Sequence, residues 1–142
     1  MFKKVFVDGN VILDIFDNSR CFSSYSIKTI DYLLSNNVRL LTSGDLITTI
    51  YYVLAKNNKN TAFESVKLAV NYFDLISFSN LEILKTIKLM ETDKNYQDFE
   101  DALQYTLAKI NRCDIILSND DGFVSKDIKT LKTESFCKTY IN

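Results

Sequence analysis

The chain contains no histidine, and this absence removes much of the usual hydrolytic machinery. Serine or cysteine triads with histidine, histidine general bases and histidine-rich zinc sites are all excluded. Only three glycines are present, Gly9, Gly44 and Gly122, and neither a GxGxxG nor a GxxxxGK[ST] sequence occurs. Nucleotide binding through those glycine-rich loops is therefore excluded as well. Carboxylate, hydroxyl, amide and lysine side chains remain available for chemistry.

Long apolar runs and paired cysteines are also missing. No stretch approaches the ~20 apolar residues of a membrane span, so we expect no membrane association. Three cysteines without a CxxC pair are typical of reduced thiols in a cytoplasmic protein. Lys and Arg total 17 against 18 for Asp and Glu, so the net charge of -1 gives no general attraction to nucleic acid. An RNA or DNA partner would have to be held by a local patch or through a bound metal.

Short apolar runs alternate with amphipathic segments along the 142 residues, which we expect to form one domain over residues 1–142. The predicted strands cover residues 3–7, 38–43, 75–78, 113–118 and 135–142. The predicted helices begin near Asn10, at Ser23, near residue 44, at a capping box formed by Thr61 and Glu64, and at residues 80 and 99. Ser24 is a plausible N-cap for the second of these helices. Strands separated by helices require crossover connections. The sequence therefore predicts an α/β three-layer sandwich with a mostly parallel central sheet flanked by helices.

Acidic residues stand where predicted strands end or a helix begins. Asp8 follows KKVFV, Asp98 and Asp101 lie in QDFEDALQY, and Asp120 follows CDIILSN. Ligands of parallel sheets bind at the carboxyl ends of the strands, so these side chains can converge. Grouped carboxylates repel one another unless a divalent cation lies between them, and Mg²⁺ and Mn²⁺ prefer oxygen ligands. Such a metal can activate water for attack on a phosphodiester without any histidine.

Two segments resemble PIN-domain ribonucleases. VFVDGNVILDIF is similar to the opening strand and helix of that family, and DFEDALQYTLAKINRCDIILSNDDGF is similar to its later acidic helix, strand and turn. The resemblance implies an α/β sandwich and Mg²⁺- or Mn²⁺-dependent cleavage of RNA. It also implies a VapC-type toxin of a toxin–antitoxin pair, with a small antitoxin protein as partner and a homodimer as the expected assembly.

The resemblance assigns roles to individual residues. Asp8, Asp101 and Asp120 match the catalytic carboxylates that hold the metal. Asn10 matches a polar residue that supports the site, and Ser118 matches the hydroxyl that orders Asp120.

One position departs from the family pattern. Thr49 stands where a glutamate is usual, and a hydroxyl is a weaker metal ligand than a carboxylate. Asp45 lies one helical turn before Thr49 and could substitute in part, although capping the helix is its simpler role.

Simpler structural roles compete with the catalytic ones. Asp8 and Asn10 could only cap the first helix, while Asp98 could be the N-cap and Asp101 the capping-box acid of a later one. Asp120 or Asp121 could face the metal, with the family pattern favouring Asp120, or both could form only a turn with Gly122. Asp14 is expected to be a solvated or capping charge.

Three functions stay open at this point. The first is a metal-dependent endoribonuclease. The second is a PIN-like domain with weakened catalysis that binds RNA or protein, which the threonine at position 49 motivates. The third, a phosphoacceptor receiver domain, requires an acidic pair after the first strand, whereas Gly9 follows a lone Asp8.

Overall fold

The computed structural model describes residues 1–141 and has the predicted α/β architecture. Its sheet has the order β3-β2-β1-β4-β5, and all four pairings are parallel. The strands are β1 Lys4–Val7, β2 Arg39–Ser43, β3 Asp74–Ile76, β4 Ile115–Leu117 and β5 Lys129–Leu131. The prediction of a mostly parallel central sheet is confirmed.

Helices connect β1 to β2, β2 to β3 and β3 to β4, whereas residues 118–128 between β4 and β5 contain no helix. The helices are α1 Gly9–Phe16, α2 Ser23–Ser35, α3 Leu46–Ala55, α4 Lys59–Tyr72, α5 Asn80–Thr92, α6 Phe99–Ile110 and α7 Thr133–Phe136, followed by a π-helical segment Cys137–Ile141. Within residues 1–141, none of these helices is both long enough and apolar enough to cross a membrane.

The sheet separates two hydrophobic cores. Successive side chains of a strand point to opposite faces, so Val5 and Val7 join one core while Phe6 joins the other. The first core includes residues of α1 to α4 and α7, and the second includes residues of α6. Strands buried on both faces explain why β1 and β4 are uninterrupted apolar runs in the sequence.

The strand order reverses beside the central strand β1. After β3 the chain crosses back to place β4 on the other side of β1, with Val7 opposite Leu117. The backbone N–H of Asp8 then donates to the Leu117 carbonyl at 2.9 Å. The carboxyl ends of β1 and β4 therefore lie side by side, at the kind of switch point where parallel sheets bind ligands.

Two helix starts differ from the sequence prediction. Phe22, not Ser24, is the N-cap of α2. Helix α4 begins at Lys59, because Asn58 caps it by accepting from the Thr61 N–H at 3.0 Å. The predicted capping box at Thr61 and Glu64 is therefore wrong, since Thr61 already lies inside the first turn.

The predicted final strand over residues 135–142 is also wrong. Residues 135–141 are helical, and Asn142 lies outside the described residues. The reason is aromatic packing at helical spacing: the rings of Phe136 and Tyr140 lie 4.7 Å apart, and Phe2 contacts both. The fifth strand is instead Lys129–Leu131.

Candidate active site

The acidic residues of distant segments line one cavity of about 210 Å³. Asp8 comes from the end of β1, Asp101 from the first turn of α6, and Asp120 from the turn after β4. The remaining lining residues belong to α1, α3 and α6: Gly9, Asn10, Leu13, Leu46, Thr49, Ile50 and Glu100. The three predicted catalytic carboxylates are thus brought together.

Asp8 is the buried member of this group, with 6% of its surface exposed. It is the N-cap of α1, and its Oδ1 accepts from the Gly9 N–H at 2.6 Å. Its Oδ2 accepts from Asn10 Nδ2 at 2.9 Å and from Ser118 Oγ at 2.8 Å. Burial raises the pKa of Asp8, although the bonds from Ser118 and Gly9 oppose that effect. Capping and site formation therefore involve the same carboxylate.

Asp101 is half-buried and has the most displaced carboxyl pKa of the site. Loss of solvent, followed by the negative charges of Asp8, Asp98, Asp120 and Glu100, raises its pKa from 3.8 to about 7. A carboxyl group that is only about half ionised at neutral pH lies where added positive charge would be favourable.

Asp120 is exposed and is held by its own turn. Its N–H donates to Ser118 Oγ at 3.2 Å, and its Oδ1 accepts from the Gly122 N–H at 2.8 Å. Ser118 thereby links Asp120 to Asp8. Asp121 instead forms an ion pair with Lys132 and does not line the cavity.

The remaining predicted residues lie around this centre. Thr49 is exposed and lines the cavity from α3. Asp45 is exposed at the start of α3, accepts a hydrogen bond from Ser43 Oγ, and does not line the cavity. Asp98 is the N-cap of α6 and accepts from the Asp101 N–H at 2.9 Å. Asp45 and Asp98 act on the cavity through their charges, which raise the pKa of Glu100 after the larger effect of burial.

Glu100 is a site residue that the sequence reasoning missed. It lines the cavity beside Asp101, and its pKa is raised by burial and by the charges of Asp45 and Asp8. Its position in the acidic first turn of α6 is the feature of the sequence that could have identified it.

The sequence reasoning also missed Asn119, because it assigned site roles only to the neighbours Ser118 and Asp120. Its backbone N–H donates to Asn10 Oδ1 at 3.0 Å, and its Nδ2 donates to Asp14 Oδ2 at 2.8 Å. Its Oδ1 accepts from the Thr133 N–H at 2.9 Å. One amide thus joins the β4 turn to α1 and α7.

The expectation of a solvated or capping Asp14 is wrong. Asp14 is only 2% exposed, and its carboxylate accepts from Arg20 Nε at 2.7 Å and from Ser26 Oγ at 2.8 Å. It anchors the supporting network and stands apart from the acidic cavity.

Two further clefts adjoin the acidic cavity, and Asp120 lines all three. One, of about 430 Å³, is shared with Asn10 and contains Arg20 and Phe22. The other, of about 490 Å³, is shared with Asp101 and contains Asn95 and Tyr96. The three cavities therefore adjoin one another at Asp120.

Residues 4–122 match the family model described as PIN domain. The chain is 54% identical over 138 residues to Ribonuclease VapC1 of Aquifex aeolicus, covering 97% of this chain and 96% of that protein.

Two solved structures have the same fold at 12% sequence identity. The crystal structure of VapBC2 from Rickettsia felis bound to a DNA fragment from its promoter matches with a TM-score of 0.71, over 91% of this chain and 98% of that one. The Mycobacterium tuberculosis Sarcin-Ricin loop cleaving toxin VapC20 matches with a TM-score of 0.67, over 86% and 98%. With its family-model match and its close sequence relative, this chain belongs to the PIN domain family.

Proposed function

We propose that this chain is a divalent-metal-dependent endoribonuclease that hydrolyses RNA phosphodiester bonds. The observation that carries the proposal is the convergence of Asp8, Asp101 and Asp120 on one cavity at the carboxyl ends of β1 and β4. The Aquifex aeolicus relative is named as a ribonuclease, which agrees with it. The family assignment excludes the alternative of a phosphoacceptor receiver domain.

The donor set fits Mg²⁺ or Mn²⁺, since every polar atom offered to the cavity by its acidic side chains is oxygen. Among residues 1–141, no three acidic or cysteine side chains are grouped closely enough to hold an ion alone. Mg²⁺ usually retains several waters and takes one or two carboxylates together with substrate phosphate. Asp8, Asp101 and Asp120 would hold the ion, which when bound would activate water and offset charge on the phosphoryl oxygens.

The protein's own residues prepare the site for this chemistry. Asn10 and Ser118 fix Asp8 through the bonds to its Oδ2, and Ser118 also orders the Asp120 backbone. The proton that Asp101 holds near neutral pH would leave when positive charge arrives. Thr49 offers a hydroxyl where the family pattern has a carboxylate, so metal binding should rest mainly on the three aspartates.

The adjoining clefts suggest where an RNA strand would lie. Arg20 lines the cleft beside Asn10, and its side chain remains 35% exposed while its Nε bonds to Asp14. A guanidinium held in this way presents its remaining N–H groups to a phosphate. Phe22, in the cleft that contains Arg20, offers a ring for base stacking, whereas Tyr96 is only 4% exposed and its ring packs against Tyr105.

Neutralising the aspartates tests the proposal. Asp8→Asn or Asp101→Asn should lower Mn²⁺-dependent RNA cleavage by at least about 100-fold, because each loses a charge that binds the cation. Gel-based cleavage assays of the purified chain, free of any partner protein, measure the effect.

Asp121→Asn is the matched control, since it neutralises a neighbouring acid paired with Lys132, and its cleavage rate should be that of the wild type. If the wild type cleaves no RNA in Mg²⁺ or Mn²⁺, the alternative of a weakened RNA- or protein-binding module replaces the enzyme. Thr49 in the cavity is the observation that favours this second candidate.

The biological setting follows as part of the same proposal. We infer that the chain is the toxin of a toxin–antitoxin pair, that it forms a homodimer, and that it acts in the cytoplasm on RNA. The fold is shared with a VapBC assembly and with a toxin described as cleaving the Sarcin-Ricin loop. If this setting is correct, expression of the chain should arrest bacterial growth. Co-expression of the chain with an antitoxin encoded by a small neighbouring reading frame should relieve that arrest.

A further inference from the structure

A single cationic side chain lines the cavities around the acids. The chain has three arginines, Arg20, Arg39 and Arg112, and of these only Arg20 lines any of the three cavities that share Asp120. Within residues 1–141, no lysine lines them either. An RNA strand that follows these cavities would therefore meet one fixed positive side chain besides the bound cation.

The Arg20 guanidinium is held from its buried side. Its Nε donates to Asp14 Oδ1 at 2.7 Å, and Asp14 is 2% exposed whereas the Arg20 side chain is 35% exposed. The other oxygen of Asp14 accepts from Ser26 Oγ and from Asn119 Nδ2, both at 2.8 Å. No hydrogen bond among residues 1–141 uses the two terminal nitrogens of Arg20. A guanidinium fixed through Nε alone keeps those nitrogens for an acceptor, and phosphate oxygens match their planar geometry.

Phe22 lines the same cleft as Arg20. Its side chain is half-buried, yet it belongs to neither hydrophobic core. In the part of the chain that the structure describes, its ring also pairs with no other aromatic ring. A guanidinium and an unpaired ring in one cleft can bind the phosphate and the base of one nucleotide together.

The position of Arg20 indicates which phosphate it would contact. Arg20 does not line the acidic cavity, where the proposed cation would take the scissile phosphate. Its cleft adjoins that cavity through Asn10 and Asp120, which line both. A phosphate at Arg20 is therefore a neighbour of the scissile one along the RNA, and contacts to such phosphates fix the register of the strand.

We propose that Arg20 and Phe22 form a nucleotide subsite beside the metal centre. The Arg20 guanidinium binds a phosphate that flanks the scissile one, and the Phe22 ring stacks on the base of that nucleotide. This inference rests on the proposed endoribonuclease function. Because stacking on a side chain requires a base that is free of a duplex, the subsite selects RNA that is unpaired at this nucleotide.

Arg20→Gln tests the phosphate contact, since it removes the charge and keeps an amide donor for Asp14. In saturating Mn²⁺, affinity for cleavage-resistant phosphorothioate RNA should fall about tenfold in fluorescence anisotropy. The slope of log affinity against log KCl should become shallower by about 0.7, because one phosphate contact is lost. Mn²⁺ affinity in the absence of RNA should stay that of the wild type.

Arg39→Gln is the matched control. Arg39 lies at the amino end of β2, away from the acids, and its exposed side chain pairs with Asp74 at 2.9 Å. Its replacement removes the same charge from the protein, so both RNA affinity and the salt slope should stay unchanged.

Uncharged linkages separate a direct contact from a structural role. In a series of RNAs with one methylphosphonate each, one linkage that flanks the scissile position should weaken wild-type binding about tenfold and should not weaken Arg20→Gln further. A structural role for Arg20 would instead lower the affinity for every RNA of the series by the same factor.

Phe22→Leu provides a test that does not disturb the Asp14 network. It should weaken RNA binding at least about fivefold, and an abasic nucleotide at the coupled position should weaken wild-type binding but not that of the variant. The subsite alone is overturned if the wild type cleaves RNA and no flanking linkage couples to Arg20, or if both variants bind RNA as tightly as the wild type. Failure of the wild type to bind and cleave RNA in Mn²⁺ overturns the nuclease proposal and the subsite together.

Discussion

Among the carboxyl groups of the site, Asp101 shows most clearly how repulsion between negative charges raises a pKa. Its carboxyl group is half-buried at the start of α6, and four other acids raise its pKa in addition to the effect of burial. Because the native protein holds this proton up to about pH 7 while an unfolded chain releases it near pH 3.8, the two states bind different numbers of protons between those values. Stability of the metal-free protein should depend on pH over that window.

The sign of this dependence can be tested with Asp101→Asn. Below about pH 4 the carboxyl is protonated in both states and imposes no penalty, whereas between pH 4 and 7 the native state must retain a proton that the unfolded state has lost. The wild type should therefore lose stability relative to Asp101→Asn as the pH rises through this range. Thermal melts in EDTA at intervals of pH measure the difference.

Saturating Mn²⁺ at neutral pH provides the control for that series. It should raise the melting temperature of the wild type more than that of Asp101→Asn, because the ion replaces the proton. A wild-type-to-variant difference that is constant from pH 4 to 7 would contradict the raised pKa.

Individual site residues differed in how far the sequence could identify them. Asp8, Asp101 and Asp120 follow strands or open a helix in a parallel sheet, so topology alone brings them together. Glu100 neighbours Asp101 in sequence, and its orientation depends on how the first turn of α6 meets α3.

The turn after β4 is hydrogen-bonded to several helices through Asn119. Asn119 bonds to Asn10 and Asp14 of α1, to Ser26 of α2 at 3.2 Å, and to Thr133 of α7. Asn119→Ala keeps the backbone bond to Asn10 but leaves the Thr133 N–H and one oxygen of buried Asp14 with fewer partners. We expect the free energy of unfolding to fall by about 3 kcal/mol in urea titrations.

Asn57→Ala supplies the comparison for this network. Asn57 is exposed beyond the end of α3, so its loss should change stability by less than about 0.5 kcal/mol. If Asn119→Ala is equally mild, the network does not hold these elements together.

The elements themselves were predictable where burial dominates. Strands β1 and β4 are buried on both faces and are clear in the sequence, whereas β5 begins with the exposed Lys129 and lies at the sheet edge. Phe136 and Tyr140 stand four residues apart and pack as one helical turn, but the surrounding apolar residues also suit a strand. Tertiary packing decides between the two, since Phe2 contacts both rings and Tyr32 contacts Phe136.

The whole molecule has almost no net charge, and its candidate site is acidic. RNA affinity should therefore depend on the bound cation more than on lysine contacts. With cleavage-resistant phosphorothioate RNA, EDTA should weaken binding at least about tenfold in fluorescence anisotropy.

Salt dependence gives a second measurement of the same property. The slope of log affinity against log KCl at fixed Mn²⁺ should be no steeper than about −2, equivalent to about three phosphate contacts at about −0.7 each. A steep slope together with full affinity in EDTA would show that a basic surface, and not the metal, holds the RNA.

The hydrogen bond between Ser118 and Asp8 spans 110 positions of the chain. Until β4 pairs with β1, one edge of the central strand has no partner and the carboxylate of Asp8 lacks its contact with Ser118. A chain without that pairing has no assembled group of carboxylates. Under the proposed function, cleavage of RNA would therefore require completed folding.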